Sequence, residues 1–257
     1  MMERSQFCRP IAHRGLHGAP GGGAVENTLP AFSAAISRGY GLECDLRPGK
    51  GGLPLVFHDE TLDRLVAGSG PVAQLGPDNL SHLAYKGDPA ARIPTFAALC
   101  DLVSGRVPML VEIKSEWGPI DRAFLAEVAR IAGAYAGPLA LMSFDPAVMT
   151  AIRALAPDVP RGIVSGDYMR TADDAEDHWW EDRLDRNRAE RLTNLLESGP
   201  ASPDFYAYDV RALPTPVTRY VREVQGLAMF TWTVRTAEDR ATADQHADAP
   251  IFEGFLA

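Results

Sequence analysis

Short apolar runs alternate along this chain with longer stretches whose apolar residues recur every three or four positions. The runs span 10–12, 41–46 (GLECDL), 53–57 (LPLVF), 109–114 (MLVEIK), 139–144 (LALMSF), 161–164, 205–210 and 228–234, with 251–252 as a weak last member. Most are apolar throughout and flanked by glycine, proline or charge, the pattern of strands covered on both faces. Helical spacing predicts helices over 27–38, 95–103, 119–135, 146–155, 178–196, 214–224 and 237–245. Several open at proline or beside Asp, Ser or Thr, which are ordinary start signals.

Strand and helix in alternation over one domain's length imply a parallel α/β architecture. The 257 residues match a TIM (β/α)8 barrel, which typically runs about 250. An open doubly wound sheet is less favoured, because no glycine-rich dinucleotide fingerprint follows the first strand. Gly21, Gly22 and Gly23 read as a loop, not a phosphate cradle. The rhythm breaks at 59–92, which holds Gly68, Gly70, Pro71, Gly76 and Pro77. The expectation is one barrel domain over 1–257, with 59–92 as a small insertion at its mouth.

Composition narrows the class. A net charge of −9 speaks against a nucleic-acid surface. It leaves an anionic small molecule open, since local charge decides that. Three cysteines, an odd number without zinc spacing, read as free thiols of a reducing cytosol. The opening MMERSQFCRPIAHRG has no apolar signal core, and no stretch reaches the roughly 18 apolar residues of a membrane span. A cytoplasmic protein without a membrane span is expected.

The chemistry is concentrated near the start. His13-Arg14-Gly15 ends the first run, Glu43-Cys44-Asp45 lies in the second, and His58-Asp59 follows the third. Two imidazoles can supply one proton acceptor and one donor near neutral pH. Carboxylates at i and i+2 of a strand share a face, so Glu43 and Asp45 point inward and Cys44 toward the helices. Glu112 and Lys114 repeat that spacing. In a β/α barrel such strand ends meet at one mouth. Glu43, Asp45 and Glu112 offer oxygen only, which suits Mg²⁺ or Ca²⁺ better than zinc. Arg14 and Lys114 are natural partners for a phosphate oxygen. Acid, base and metal together point to metal-assisted displacement, at phosphorus rather than at a carbonyl.

HRG, VENTLPAF, ECDL, LPLVFHDETLDR, IPTF and VEIK, in this order from Ile11 to Lys114, resemble the glycerophosphodiester phosphodiesterase family. SFDP at 143–146 and TWTV at 231–234 continue the order. The resemblance implies a β/α barrel with an insertion after the second His motif. It implies that His13 and His58 are the acid–base pair and that Glu43, Asp45 and Glu112 bind one divalent cation, Mg²⁺ or Ca²⁺. Arg14 and Lys114 would hold phosphate, Asn27 beside Glu26 would orient a ligand or a catalytic side chain, and Trp232 would wall the alcohol pocket. The substrate would be a small glycerophosphodiester, cleaved to sn-glycerol 3-phosphate and an alcohol. The chain departs from the family pattern at Val25 (usually Pro), at Arg235 (usually Asn) and at IFEGF over 251–255, in place of a TDxP-like end. The last two bear on the substrate pocket and the final strand, not on the catalytic core.

Other features read as ordinary. His17 lies in a glycine loop and is not expected to ligate metal. His82, His178 and His246 read as surface residues. Trp179 and Trp180 read as helix-to-barrel packing. The mixed-sign run after them, with Asp182 and Arg186 four apart, reads as a solvated helix face. Asp209 fits either a substrate contact or a salt bridge. Two alternatives stand beside the main reading. One is a related phosphodiesterase acting on lysophospholipids or phosphosugar diesters. The other is a non-catalytic barrel that binds a phosphorylated polyol, which the full set of histidines and carboxylates disfavours.

Overall fold

The computed structural model describes residues 2–170 and 180–257. Eight parallel strands close into a barrel: β1 Ile11–Ala12, β2 Gly41–Pro48, β4 Met109–Ile113, β5 Leu139–Ser143, β6 Arg161–Ser165, β7 Phe205–Asp209, β8 Ala228–Val234 and β9 Ala249–Phe252. The short β1 closes the ring, pairing with β2 on one side and β9 on the other. The apolar run 53–57 is not a barrel stave. It forms β3, Pro54–Val56, which pairs antiparallel with the far end of β2. The barrel place it vacates is taken by β9, the run that looked weakest in the sequence.

The helices lie where the spacing puts them, with shifted ends. After α1 (Arg4–Phe7) come α2 (Leu29–Ser37), α3 (Pro77–Leu80), α4 (Phe96–Val103), α5 (Arg122–Ala134), α6 (Pro146–Leu155), α7 (Arg186–Thr193), α8 (Pro216–Arg219) and α9 (Ala237–His246). A π-turn, Tyr220–Val224, extends α8. Two differences matter. The helix expected from residue 27 starts at Leu29, because Thr28 takes the N-cap and Asn27 has a left-handed φ of 55°. Of the helix expected over 178–196, the described residues form α7, preceded by turns and a bend from Trp180 to Leu184. Asp182 therefore sits ahead of the helix, off the face on which it was expected to pair with Arg186. His178 and Trp179 lie outside the described residues.

Strand residues alternate between two cores. Leu42, Cys44, Leu46, Met109, Val111 and Ile113 pack outward under the helices, so Cys44 faces the helix layer as its spacing implied. Ile11, Leu110, Ala140, Met142, Phe205, Ala207 and Phe230 fill the barrel. Met2 and Phe7 join that interior cluster and plug its N-terminal end. The segment between β3 and α4 carries a small cluster of its own, in which Leu62, Val66, Val72, Leu75 and Tyr85 pack onto Leu55 and Phe57. Trp180 is buried edge-on against Tyr168, with ring centroids 5.9 Å apart. Among the described residues no helix is long and apolar enough to cross a membrane.

If Phe7 plugs the barrel, Phe7→Ala lowers the unfolding free energy by about 3 kcal/mol. This is read as a drop in the urea midpoint at unchanged slope. A wild-type midpoint would show that the segment does not pack there.

Candidate active site

The mouth at the C-terminal ends of the strands opens into a cavity of about 700 Å³. Glu43, Asp45 and Glu112 meet beneath it, all buried, with ligand oxygens within 4.8 Å of one another. Strand register accounts for this, because Asp45 lies directly opposite Glu112 across the β2–β4 pair and Glu43 is one inward residue below. Lys114 bridges Asp45 and Glu112, with Nζ at 2.8 and 2.6 Å.

Arg14 approaches from the β1 side. Its backbone N–H donates to Glu43 (2.9 Å) and its Nη1 to Glu26 (2.9 Å). Its Nε lies 3.3 Å from Asp45, an ion pair without hydrogen-bond geometry. Asn27 Nδ2 donates to Asp45 at 2.8 Å. Both residues have positive φ, 54° for Arg14 and 55° for Asn27, which non-glycine residues adopt rarely and often at functional sites. Asn27 N–H donates to the Arg14 carbonyl and locks the two turns together. Gly15 permits the approach, since at its φ of 79° a Cβ would sit 2.9 Å from the Ala31 backbone.

The two histidines arrive by different routes. His13 follows β1 at the barrel closure. Its Nδ1 lies 2.6 Å from Glu253, just past β9, and its Nε2 lies 3.9 Å from Glu43. His58 is carried back over the mouth by β3: Phe57 N–H donates to the Asp45 carbonyl, and Arg47 Nε donates to the His58 carbonyl. His58 Nδ1 lies 2.7 Å from Asp59. Arg64 donates to both Asp59 and Glu26.

Charge and burial set the protonation states. Burial, then the charges of Asp45 and Glu112, push the Glu43 carboxyl well up. Burial also works against the Asp45 carboxylate, but Lys114, His58 and Arg14 outweigh it and hold Asp45 well below the usual range. Lys114 is held up by Asp45 and Glu112 despite its burial. Burial and the Arg14 charge bring His13 down to about 4. Burial and Lys114 lower His58 as well. Both imidazoles are therefore neutral at pH 7. Burial works against ionisation of Glu253, but the hydrogen bond from His13, with His17 close by at 3.6 Å, keeps it ionised.

All nine residues singled out in the sequence fall in or beside this cavity. His13, His58, Arg14, Lys114, Glu43, Glu112 and Trp232 line it, while Asp45 and Asn27 lie behind them. Trp232 packs edge-on against Phe144 (5.2 Å), and its Nε1 donates to the Ala207 carbonyl. Arg47, Arg183, Arg211 and Glu253 also line the cavity and were not anticipated. Arg183 pairs with Glu116 and Glu60. It belongs to the run read as a solvated helix face; it is exposed, but it sits in a turn ahead of α7 and borders the cavity. Asp209 pairs with Arg211 at 2.7 Å, the salt-bridge option. His17 stays outside the carboxylate cluster, 3.6 Å from Glu253. His82 is exposed and His246 half-buried. SFDP has a structural role: Ser143 Oγ donates to the Ile113 carbonyl and Asp145 caps α6.

A Mycobacterium tuberculosis protein provisionally named glycerophosphodiester phosphodiesterase 1 is 28% identical over 256 residues, covering 89% of this chain and 82% of its own length. Bacillus subtilis YhdW, provisionally named for the same activity, is 28% identical over 166 residues. That alignment spans 60% of this chain and 65% of YhdW, just under two thirds of the relative's length. An Oleispira antarctica phosphodiesterase, solved with the product sn-glycerol 3-phosphate, superposes with a TM-score of 0.72 at 20% identity, covering 98% of this chain and 95% of its own. A Thermotoga maritima glycerophosphodiester phosphodiesterase superposes with a TM-score of 0.67 at 22% identity, covering 94% and 92%. The profile of the Glycerophosphoryl diester phosphodiesterase family matches residues 13–252, and the chain belongs to that family.

Proposed function

We propose that this protein is a phosphodiesterase that cleaves glycerophosphodiesters to sn-glycerol 3-phosphate and an alcohol, with His13 and His58 as the acid–base pair. One observation carries the reading: two imidazoles, each backed by a carboxylate, open onto one cluster of three carboxylates, a lysine and an arginine. The product held by the Oleispira relative supports the same product here. The reading takes the chain as one catalytic unit with 59–92 as an insertion at its mouth. The three unpaired cysteines suit a reducing cytoplasm.

Glu43, Asp45 and Glu112 would hold one divalent cation. The fit rests on their oxygen-only donor set and on Glu43 Oε1, which is buried without a hydrogen-bond partner. Such donors suit Mg²⁺ or Ca²⁺. When bound, the cation supplies Lewis-acid neutralisation of charge at the phosphate. Arg14 and Lys114 line the cavity beside it and bind non-bridging phosphate oxygens. One neutral imidazole takes a proton from the nucleophile. The other, charged by an incoming proton, protonates the leaving alkoxide. Two nucleophiles fit, the glycerol 2-hydroxyl through a cyclic phosphate or a water molecule, and ³¹P NMR of the reaction mixture separates them. Asn27 steers Asp45, and Trp232 walls the alcohol side.

Arg183, Arg211 and Arg235 line the same cavity as Trp232 and favour a hydroxyl-rich alcohol over an acyl chain. Glycerophosphoinositol should outrun lysophosphatidylcholine in kcat/KM, and the reverse order would move the reading to lysophospholipids.

Release of glycerol 3-phosphate, followed by a coupled assay, should be abolished by EDTA and restored by Mg²⁺ or Ca²⁺. Binding of glycerol 3-phosphate without turnover of any diester would instead favour the phospho-polyol-binding barrel. His13→Ala and His58→Ala should each lose roughly 10²–10⁴-fold in kcat with an unchanged melting temperature. Wild-type turnover in both would refute the acid–base assignment.

The raised carboxyl of Glu43 gives a pH signature. A carboxyl raised in the folded state stabilises the cation-free protein at low pH, and that stability is lost as pH rises through the folded value. Cation binding requires the ionised form. The rise in melting temperature at a fixed cation concentration should therefore grow from pH 5 to pH 8, and it should flatten in Glu43→Gln. An equal rise at both pH values in the wild type would contradict the assignment.

A further inference from the structure

The two histidines are held in the same way from opposite sides of the mouth. At His58, Nδ1 meets Asp59 at 2.7 Å, and Asp59 accepts from Arg64 Nε at 2.7 Å. At His13, Nδ1 meets Glu253 Oε2 at 2.6 Å, and Glu253 Oε1 accepts from Arg235 Nε at 2.6 Å. Asp59 and Arg64 belong to LPLVFHDETLDR, part of the stretch that carries the family resemblance. Arg235 and Glu253 fall at two of the three places where the chain departs from it, after TWTV and inside IFEGF. These departures meet in space, on the side chain that also holds His13.

We propose that Glu253, braced by Arg235, is a positioning residue for His13. The inference rests on the acid–base reading of His13. An ionised carboxylate only accepts hydrogen bonds, so Nδ1 must carry the proton and donate it. That leaves the lone pair on Nε2, the nitrogen that faces the carboxylate cluster 3.9 Å from Glu43. The hydrogen bond also fixes the ring plane. Arg235 follows β8 and Glu253 follows β9, neighbouring strands in the barrel, so the brace comes from two rigid elements. Arg235 occupies Oε1, which leaves Oε2 turned toward the imidazole. Glu253 lines the cavity, but its partners are His13, His17 and Arg235 rather than the three clustered carboxylates; it acts through His13.

A plain surface ion pair at the same place would change stability and leave kcat alone, and the test separates the two. Glu253→Gln keeps the size but offers an amide N–H to Nδ1, which favours the wrong tautomer. In the cation-saturated enzyme, Glu253→Gln should lower kcat on the order of 10²–10⁴-fold, with KM, melting temperature and cation affinity unchanged. Glu253→Asp should restore part of the loss. The double variant His13→Ala/Glu253→Gln should be no slower than His13→Ala, because a residue that acts through His13 has nothing left to act on. ¹⁵N NMR of the cation-loaded wild type should show His13 as the Nδ1-protonated tautomer, a readout that stands even if a variant fails to fold. A kcat within about threefold of wild type in Glu253→Gln, losses that multiply in the double variant, or an Nε2-protonated His13 would overturn the proposal. Wild-type turnover in His13→Ala would bring down the acid–base reading itself. An inactive His13→Ala beside a fully active Glu253→Gln would bring down the positioning pair alone.

Discussion

Glu43, Asp45 and Glu112 set their oxygens within 4.8 Å of one another in a buried pocket, and the surroundings are arranged around that repulsion. A buried carboxylate must be paired, protonated or coordinated. The three acids are paired to different degrees. Asp45 is paired, gripped by Lys114, Arg14 and Asn27. Glu112 shares Lys114. Glu43 receives one backbone N–H and keeps its other oxygen without a partner. It is the member whose carboxyl burial and its acidic neighbours push up.

The left-handed turns at Arg14 and Asn27 follow from the same need, because they aim a guanidinium and an amide at the one carboxylate. Backbone strain there is offset by hydrogen bonds that exist only in that conformation. The hairpin of β2 and β3 meets the constraint differently. It runs the strand that supplies two of the acids past the barrel rim and folds it back, so His58 lies beside Asp45 through strand pairing rather than through a long loop. Positions of the acids and of one imidazole are thus tied within a single hairpin.

Much of this could be read from the residues alone. Glu43 and Asp45 announced themselves by their i, i+2 spacing in an apolar run, and Glu112 and Lys114 by its repetition. The eightfold rhythm of strand and helix was legible because most staves are largely apolar and buried on both faces. The same property hid β3, since a hairpin arm clamped between β2 and the insertion is buried like a stave. Asn27 was assigned to a helix because apolar spacing resumes just after it, and spacing carries no sign of φ. Glu253 escaped notice because its partner lies 240 residues away and its own stretch departs from the family pattern. Arg183 was hidden in a run whose mixed charges look like solvent-facing decoration.

The closure of the barrel through β1 and β9 has a consequence for the making of the protein. His13 leaves the ribosome some 240 residues ahead of β9, the strand that completes the pairing of β1, and of the carboxylate that holds the imidazole. Until they arrive, the ring is open and the first histidine hangs on an unpaired edge. Under the proposed chemistry, every metal ligand is made before the carboxylate that positions His13, and the site would be complete only when the ring shuts.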